Sequence, residues 1–388
     1  MNSNLPTAAP ANQPYADDLY SDNLCGFPHF MLKEIQQQPE SVQICLAHYF
    51  HAISEPLLSV PVNLNEVHIL ACGTSYHAGL ITQHWIEQLV NIPVRVRSGS
   101  EFQEAPLPMT ANTLTIGITQ SGETADTLNA IALDKQRRLA QSEVFQPHLL
   151  GITNQPNSAL SQRVDWTMPT LAGTEIGVAA TKTFLNQLIV CFYFTLELAL
   201  SRQAISPETV QAYWAELSTL PAKIRAVLQL ETQIKPIAQA MINQQHCMVL
   251  GRGINQAIAL EGALKLKETT YLHAEGYSAG EFMHGPIALL DERVPVIAIA
   301  PTDSTHAAMI ANLRQVKSHG SPIIGILTED VPPETASLFD HVLILPAIAD
   351  PLSPILSVIP LQLLAYHLAV QRGLNVDKPR NITKTLSE

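Results

Sequence analysis

The sequence has few charged residues, and bases are fewer than acids. Only 14% of its 388 residues are charged, and 22 Lys and Arg against 34 Asp and Glu give a net charge of −12. A negative chain repels polyanions, so we do not expect nucleic acid as a partner. Because about 25% charged residues is usual, the low fraction indicates that part of the surface is buried in a subunit interface.

Cysteine is also scarce, and no spacing typical of a disulfide framework or a zinc site occurs. The five cysteines are an odd set without a Cys-x-x-Cys pair, and the first 32 residues contain no Lys or Arg. Without an apolar signal segment, these features predict a cytoplasmic protein with reduced thiols. Two apolar stretches, 184–200 and 352–370, contain polar residues. We expect them to be buried core helices and not membrane spans.

Four short apolar runs recur in the same order in the second half of the chain. The runs at 67–73, 114–118, 149–152 and 166–169 match those at 247–253, 296–300, 323–326 and 343–346. Any doubly wound protein contains such runs, but their common order favours a duplication. Segments of helical period lie between them, and this alternation is typical of parallel sheets covered by helices. The sequence therefore predicts an α/β fold of two similar three-layer sandwiches.

The predicted organisation has five parts, with boundaries that are soft by several residues. They are a disordered segment at 1–27, a first domain at 28–200, a helical linker at 201–245, a second domain at 246–370 and a C-terminal tail at 371–388. In the linker, Pro207, Pro221 and Pro236 are expected at turns or helix starts.

Two loops rich in hydroxyl groups follow predicted strands of the first half, at 72–75 and 119–124. Ligands of open parallel sheets bind beyond the carboxyl ends of the strands, where helix N-termini offer backbone N–H groups to an anion. The loops thus predict a phosphate-binding cradle. The alternative is that Ser121 and Thr124 only cap a helix. Neither a Walker A lysine nor a G-x-G-x-x-G motif occurs, so a nucleotide is not implied.

Three further places carry side chains suited to acid–base chemistry. Glu261, Lys265 and Glu268 share one face of a predicted helix, which places a carboxylate base beside a cation or, alternatively, forms an ordinary pair on a solvated face. His284 precedes Gly-Pro in a loop over 273–286 and could transfer protons. Lys384 of the tail could form a Schiff base with a carbonyl substrate if burial lowers its pKa.

Motifs along nearly the whole chain resemble the sugar isomerase (SIS) family, specifically the isomerase half of glutamine:fructose-6-phosphate amidotransferases, the glucosamine-6-phosphate synthases. These motifs are Phe30–Pro39, Cys72–Ser75, Gln120–Leu128, Gly173–Val178, Ala259–Glu268, His284–Pro286, Pro360–His367 and Pro379–Asn381. The resemblance implies two tandem SIS domains, each a parallel sheet between helices, in a homodimer with composite sites. It implies a sugar 6-phosphate substrate and neither a metal nor a cofactor.

The resemblance also implies a role for individual residues. Those that would hold the 6-phosphate are Ser75, Thr119, Gln120, Ser121 and Thr124, with Thr74 and Val178 near the sugar. Glu268, beside Lys265, would move a proton between C1 and C2 of the sugar. His284, contributed by the neighbouring subunit, would open the pyranose ring, and Lys384 would contact the open-chain carbonyl.

This sequence also departs from the synthases. They begin with a glutaminase domain, whereas here about 28 residues precede the match. In addition, Thr119 and Ala180 each replace a usual Ser, and Met283 replaces a usual Lys. We therefore expect that this chain does not hydrolyse glutamine and that scarce ammonia drives the amination backwards, from glucosamine 6-phosphate and water to fructose 6-phosphate and ammonia. The alternatives are a phosphosugar isomerase, a fructosamine-6-phosphate deglycase, an ammonia-dependent synthase and a non-catalytic sugar-phosphate sensor.

Overall fold

The computed structural model describes residues 17–51, 61 and 63–384. Its α-helices are α1 Phe30–Gln36, α2 Gln38–His51, α3 Gly73–Leu89, α4 Gly99–Glu104, α5 Ala125–Leu139, α6 Lys182–Ser201, α7 Pro207–Leu228, α8 Glu231–Ala240, α9 Asn255–Thr270, α10 Ala279–Phe282, α11 His306–Ser318, α12 Pro333–Ala336 and α13 Ser353–Gln371. Its strands are β1 Glu66–Ala71, β2 Val94–Ser98, β3 Thr113–Ile118, β4 His148–Thr153, β5 Trp166–Pro169, β6 His246–Gly251, β7 His273–Ser278, β8 Val296–Ile299, β9 Ile323–Thr328 and β10 His341–Leu345.

The strands form two five-stranded parallel sheets with matching topology, in the orders β2-β1-β3-β4-β5 and β10-β9-β8-β6-β7. Both sheets are flanked by helices, which confirms the predicted α/β fold of two three-layer sandwiches. In the first sheet Val67 of β1 pairs with Val94 on one side and with Leu114 on the other. The edge strands β2 and β7 were not predicted, and β7 occupies part of the expected 273–286 loop. Both are partly exposed, so neither has the continuous apolar run that marks a buried parallel strand.

Helices between the two sheets form a core that belongs to both domains. Helix α3 packs against α6 and α9, and α9 packs against α13. The indole Nε1 of Trp85 in α3 donates to the carbonyl oxygen of Pro351, 2.7 Å away, near the start of α13. Two helices, Lys182–Ser201 and Asp350–Gln371, are long and apolar enough for a membrane span, but 89% and 94% of their apolar windows are buried inside the protein. They are core helices, as predicted.

Part of the N-terminal segment corrects the prediction of disorder over residues 1–27. Asp17–Tyr20 form a 3₁₀ helix, and Leu19 is only 1% exposed. The carbonyl oxygen of Leu19 accepts bonds from the amide of Thr174, at 2.9 Å, and from Nζ of Lys182, at 3.3 Å. A polar composition therefore misled the prediction, because distant donors satisfy this backbone. Residues 1–16 lie outside the described residues.

The segment at 201–245 is mostly helical. Pro207 lies in the first turn of α7, as expected, but Pro221 and Pro236 lie inside α7 and α8, which corrects their prediction as turns or starts. Pro221 is buried between the core residues Leu220 and Ile224. A proline cannot donate a backbone hydrogen bond within a helix, and the packing of this buried face compensates for the missing bond.

Candidate active site

A cavity of about 110 Å³ lies at the carboxyl ends of β1 and β3, where α3 and α5 begin. The residues lining it are Cys72, Thr74, Ser75, Ile118, Thr119, Gln120, Ser121, Thr124, Thr127, Val178, Ala180, Thr183, Gln187 and Lys384. Every residue predicted to bind the sugar phosphate is among them. We call this cavity the cradle.

Hydroxyl groups of the cradle are held by one another and by a buried amide. The Oγ1 atoms of Thr119 and Thr124 are 2.7 Å apart, and Ser75 Oγ accepts a 3.0 Å bond from Nε2 of Gln187. Thr124 is the N-cap residue of α5, yet its side chain makes no capping hydrogen bond. Helix capping therefore does not account for this hydroxyl.

Two glycines let the chain turn from strand to helix around the cradle. Gly73 and Gly122 have φ angles of +54° and +70°, in the left-handed region that favours glycine. At Gly122 a Cβ atom would lie 2.0 Å from Oγ of Ser158, so a side chain does not fit. The turns leave two helix N-termini facing one cavity, and unpaired N–H groups with the positive end of the helix dipole favour an anion there.

Charged residues of α9 reach the wall of the cradle. Glu261 is fully buried and accepts bonds from Thr74 Oγ1 at 3.1 Å and from His77 Nδ1 at 2.7 Å. The Lys265 Nζ atom lies 3.1 Å from Thr74 Oγ1, 3.4 Å from Glu261 Oε1 and 2.6 Å from Glu268 Oε2. Glu261 and Lys265 are both buried, so the alternative of an ordinary pair on a solvated face is wrong.

Electrostatics keeps this buried pair ionised. Burial by itself raises the pKa of Glu261, but Lys265, His77 and Thr74 together lower it below its usual value. Burial by itself lowers the pKa of Lys265, but the carboxylates of Glu268 and Glu261 raise it above its usual value. Lys265 is therefore a fixed cation between the cradle and Glu268.

Glu268, the predicted base, lies behind the cradle wall and not in it. Its side chain is 23% exposed and contributes to a second cavity of about 300 Å³, lined also by Lys267, Tyr271, Leu272, Arg380, Asn381 and Ile382. It connects to the cradle through Lys265, which contacts Thr74. A proton shuttle by Glu268 thus requires the sugar to extend from the cradle towards this second cavity.

His284 is not brought to the cradle by its own chain. It is exposed in the turn after α10, and its backbone amide donates to the Glu281 carbonyl at 2.9 Å. Within residues 17–51 and 63–384, no hydrogen bond of its imidazole is present, and it lines neither cavity described above.

The C-terminal tail runs over the cradle and inserts Lys384 into its wall. Lys384 Nζ is 2.7 Å from Glu175 Oε2 and 2.6 Å from the Gly177 carbonyl oxygen. Upstream, the carbonyl oxygen of Asp377 accepts a 3.1 Å bond from the amide of Val178. The Arg380 guanidinium lies 4.1 Å from the centre of the Tyr271 ring. Residues 385–388 of the predicted tail lie outside the described residues.

Comparison with known protein families matches residues 63–196 and 240–372 to the SIS domain. The chain belongs to this family. Each match covers one of the two parallel sheets, so the duplication seen in the strand pattern is a pair of tandem SIS domains. Helices α1 and α2 and the end of the tail lie outside both matches, although Lys384 lines the cradle.

Similar proteins include aminotransferases of fructose 6-phosphate. A glutamine–fructose-6-phosphate aminotransferase (isomerizing) from Synechocystis is 47% identical over 376 residues, which cover 93% of this chain and 59% of that protein. The chain thus spans about three fifths of the length of this relative. The C-terminal domain of glucosamine-fructose-6-phosphate aminotransferase from Francisella tularensis is 37% identical with a TM-score of 0.84, over 91% of this chain and 99% of that one. The chain therefore corresponds to the isomerase half of such enzymes.

A glucosamine-6-phosphate deaminase from Thermotoga maritima has the same fold. Its structure has a TM-score of 0.69 and 22% identity, over 92% of this chain and 99% of that one. At this identity the likeness shows the shared fold.

Sequence reasoning missed several residues of the first SIS domain that build the site. Thr183 and Gln187 line the cradle from α6, and Glu175 holds Lys384 from beneath. Glu175 lies within the Gly173–Val178 motif, which was its only sequence signal. A helix that is apolar over most of its length gave no sign that its first turns face a polar cavity.

Proposed function

We propose that this chain is an aminosugar-phosphate deaminase. It converts glucosamine 6-phosphate and water to fructose 6-phosphate and ammonia. The observation that carries the proposal is the cradle itself, where hydroxyl groups and two helix N-termini suit a phosphate and adjoin Lys384 and the buried charges of α9. This combination suits a phosphorylated substrate whose other end undergoes proton transfer.

The proposed chemistry is an aldose–ketose isomerisation followed by hydrolysis. His284 opens the pyranose ring, and Glu268 removes the proton from C2 of the open-chain aldehyde to give an enolamine. Returning that proton to C1 gives the 2-imine, and water then releases ammonia and leaves the ketone of fructose 6-phosphate. Lys265 orients Glu268, since Nζ lies 2.6 Å from Oε2. Lys384 acts on the carbonyl or imine end of the sugar.

The position of His284 supports a site shared between subunits. The side chain is exposed and lines neither cavity of its own chain. We infer a homodimer in which His284 of one protomer faces the cradle of its partner. The same arrangement would agree with the low fraction of charged residues in the chain.

The chemistry of the cysteines supports the proposed direction of the reaction. Cys45, Cys191 and Cys247 are buried, and burial raises the pKa of the Cys191 and Cys247 thiols to about 12, which suppresses the nucleophilic thiolate. Cys72 Sγ lies in the cradle wall and accepts a bond from Thr127 Oγ1 at 3.7 Å. The three buried cysteines are therefore unsuited to release ammonia from glutamine. With free ammonia scarce, mass action favours deamination.

The test is to incubate the 388-residue protein with glucosamine 6-phosphate and to measure ammonia and fructose 6-phosphate together. We expect equal release of both, abolished in Glu268→Gln and retained in Glu143→Gln, which changes an exposed glutamate. Formation of glucosamine 6-phosphate from fructose 6-phosphate and ammonium, without the reverse reaction, would reassign the chain as a synthase. Interconversion of fructose and glucose 6-phosphates without ammonia release would reassign it as an isomerase.

A further inference from the structure

Lys384 belongs to a cluster of four charged side chains beside the cradle, which we call the lysine seat. Its other members are Glu175, Lys182 and Glu34, the last of these from α1. Glu34 and Lys182 are only 2% and 0% exposed, and the Glu175 side chain is fully buried. The cluster thus contains two acidic and two basic side chains, and Lys384 is the member that comes from the tail.

One carboxylate oxygen of Glu175 binds the start of α6, and the other binds both α6 and the tail. Its Oε1 atom accepts bonds from the amides of Thr181 at 2.8 Å and Thr183 at 3.2 Å, where α6 begins. The Oε2 atom accepts from Thr183 Oγ1 and from Lys384 Nζ, each at 2.7 Å. Burial by itself raises the pKa of Glu175, but Lys384 and these hydrogen bonds lower it below its usual value.

Glu34 shapes the backbone of the lysine seat. One of its carboxylate oxygens accepts bonds from the amides of Ile176 and Gly177, and this peptide turn aims the Gly177 carbonyl at Lys384. A Cβ atom on residue 177 would come within 2.8 Å of the other oxygen, Oε2, so a side chain there would push the Glu34 carboxylate out of its present position. Lys182 completes the cluster, with Nζ 3.0 Å from Oε1 of Gln37.

The role of the lysine seat does not follow from the SIS domains themselves. Glu34 precedes the first matched segment and Lys384 follows the second. Glu34 and Lys384, both outside the repeat, thus lie together beside the cradle of the first SIS domain, where the carboxylate of Glu175 fixes the one cation that lines that cavity among the described residues.

We propose that Glu175 is the positioning residue of Lys384: it seats the tail lysine in the cradle wall and exchanges a proton with it. The proton exchange rests on the proposed function, in which Lys384 acts on an open-chain carbonyl. The seating itself rests on the contacts alone.

The proton exchange balances over the formation of the imine. In the reverse direction of the proposed reaction, Glu175 takes a proton from the Lys384 ammonium across the 2.7 Å contact, and the neutral amine attacks the C2 carbonyl of fructose 6-phosphate to form a carbinolamine. The protonated Glu175 then gives the proton to the departing hydroxyl group. Water leaves, the C–O bond breaks, and a protonated imine forms while Glu175 returns to its carboxylate. No outside acid or base is consumed.

The first test measures the seat without catalysis, as hydrogen exchange of the tail over residues 373–384. Glu175→Gln keeps an oxygen for the amides of Thr181 and Thr183 but loses the charge that holds Lys384. Exchange should speed up about 10- to 100-fold, to the level seen in Lys384→Met, as expected for a lost charged hydrogen bond. Thr181→Val removes only a 3.5 Å hydroxyl contact to Glu175 and should leave tail exchange unchanged.

The second test is a double-mutant cycle on kcat, with trapping of the imine by borohydride in the presence of fructose 6-phosphate. If Glu175 acts through Lys384, the double variant should be no slower than Lys384→Met alone, and Glu175→Gln should lose the trapped adduct. The proposal would be overturned if the losses of kcat in Glu175→Gln and Lys384→Met multiplied in the double variant. It would also be overturned if hydrogen exchange of the tail were unchanged in Glu175→Gln. An inactive wild-type enzyme whose tail still loosens in Glu175→Gln would reject the proposed function and keep the seat.

Discussion

Replacing Glu34 with Gln should make the stability of this protein less sensitive to pH. Burial first and the Glu175 carboxylate second raise the pKa of Glu34 from an ordinary 4.5 to about 7, against the opposing charge of Lys384 and the bonds from Ile176 and Gly177. At about 1.4 kcal/mol per tenfold change in a proton equilibrium, ionising Glu34 costs the folded state about 3 kcal/mol more than the unfolded chain.

The sign follows from the raised pKa. The stabilising contribution of protonated Glu34 is complete below pH 4.5, the ordinary value, and is lost as the pH rises through about 7. Gln resembles the protonated carboxyl and does not titrate. Glu175, Lys182 and Lys384 face Glu34 in both proteins. The free energy of unfolding of Glu34→Gln relative to wild type should therefore rise by about 2 to 3 kcal/mol between pH 5 and pH 8.

The assay is urea unfolding, followed by circular dichroism, at several pH values for wild type, Glu34→Gln and Glu143→Gln. The exposed Glu143 provides the matched control, and its variant should run parallel to wild type at every pH. A loss of stability in Glu34→Gln that is equal at every pH would reflect weaker hydrogen bonds to the amides of Ile176 and Gly177. Such a loss would not affect the comparison of the pH dependences. Parallel curves for Glu34→Gln and wild type would refute the argument from burial.

Two further predictions concern the hydrogen bonds of Arg372 and the cradle. Arg372 donates to the carbonyl oxygens of Met241, Ile242, Gln244 and Thr270, at 2.6 to 3.3 Å. Arg372→Ala should lower the free energy of unfolding by about 2 to 3 kcal/mol, measured by urea unfolding. The control Arg293→Ala, at an exposed arginine, should change it little. Equal effects of the two substitutions would contradict a stabilising role of the Arg372 hydrogen bonds. Thr119→Val removes the 2.7 Å hydroxyl contact in the cradle and should raise KM for glucosamine 6-phosphate about tenfold, with a smaller change in kcat. An unchanged KM in steady-state kinetics, with Thr232→Val as an exposed control, would remove Thr119 from the phosphate site.

The sequence determined the parts of the fold that local chemistry specifies. Strands buried on both faces are largely apolar, so the runs at β1, β3, β4, β6, β8 and β9 are visible in the sequence. The partly exposed edge strands β5 and β10 are recognisable because their runs recur at matching places in the two halves. The loops that form the cradle were visible for a similar reason. Small and hydroxyl residues at 72–75 and 119–124 follow strands directly, and parallel topology brings the ends of neighbouring strands together.

Tertiary structure decided what depends on packing between distant segments. The edge strands β2 and β7, the buried Pro221 of the linker and the ordered residues 17–27 lack a local pattern, because their stability comes from partners far along the chain. The lysine seat is the clearest example. Lys384 and Glu175 are 209 positions apart, and Glu34 joins them from α1. Hydrophobic periodicity carries no information about which buried charges will meet, so only the folded chain could bring this seat to the cradle.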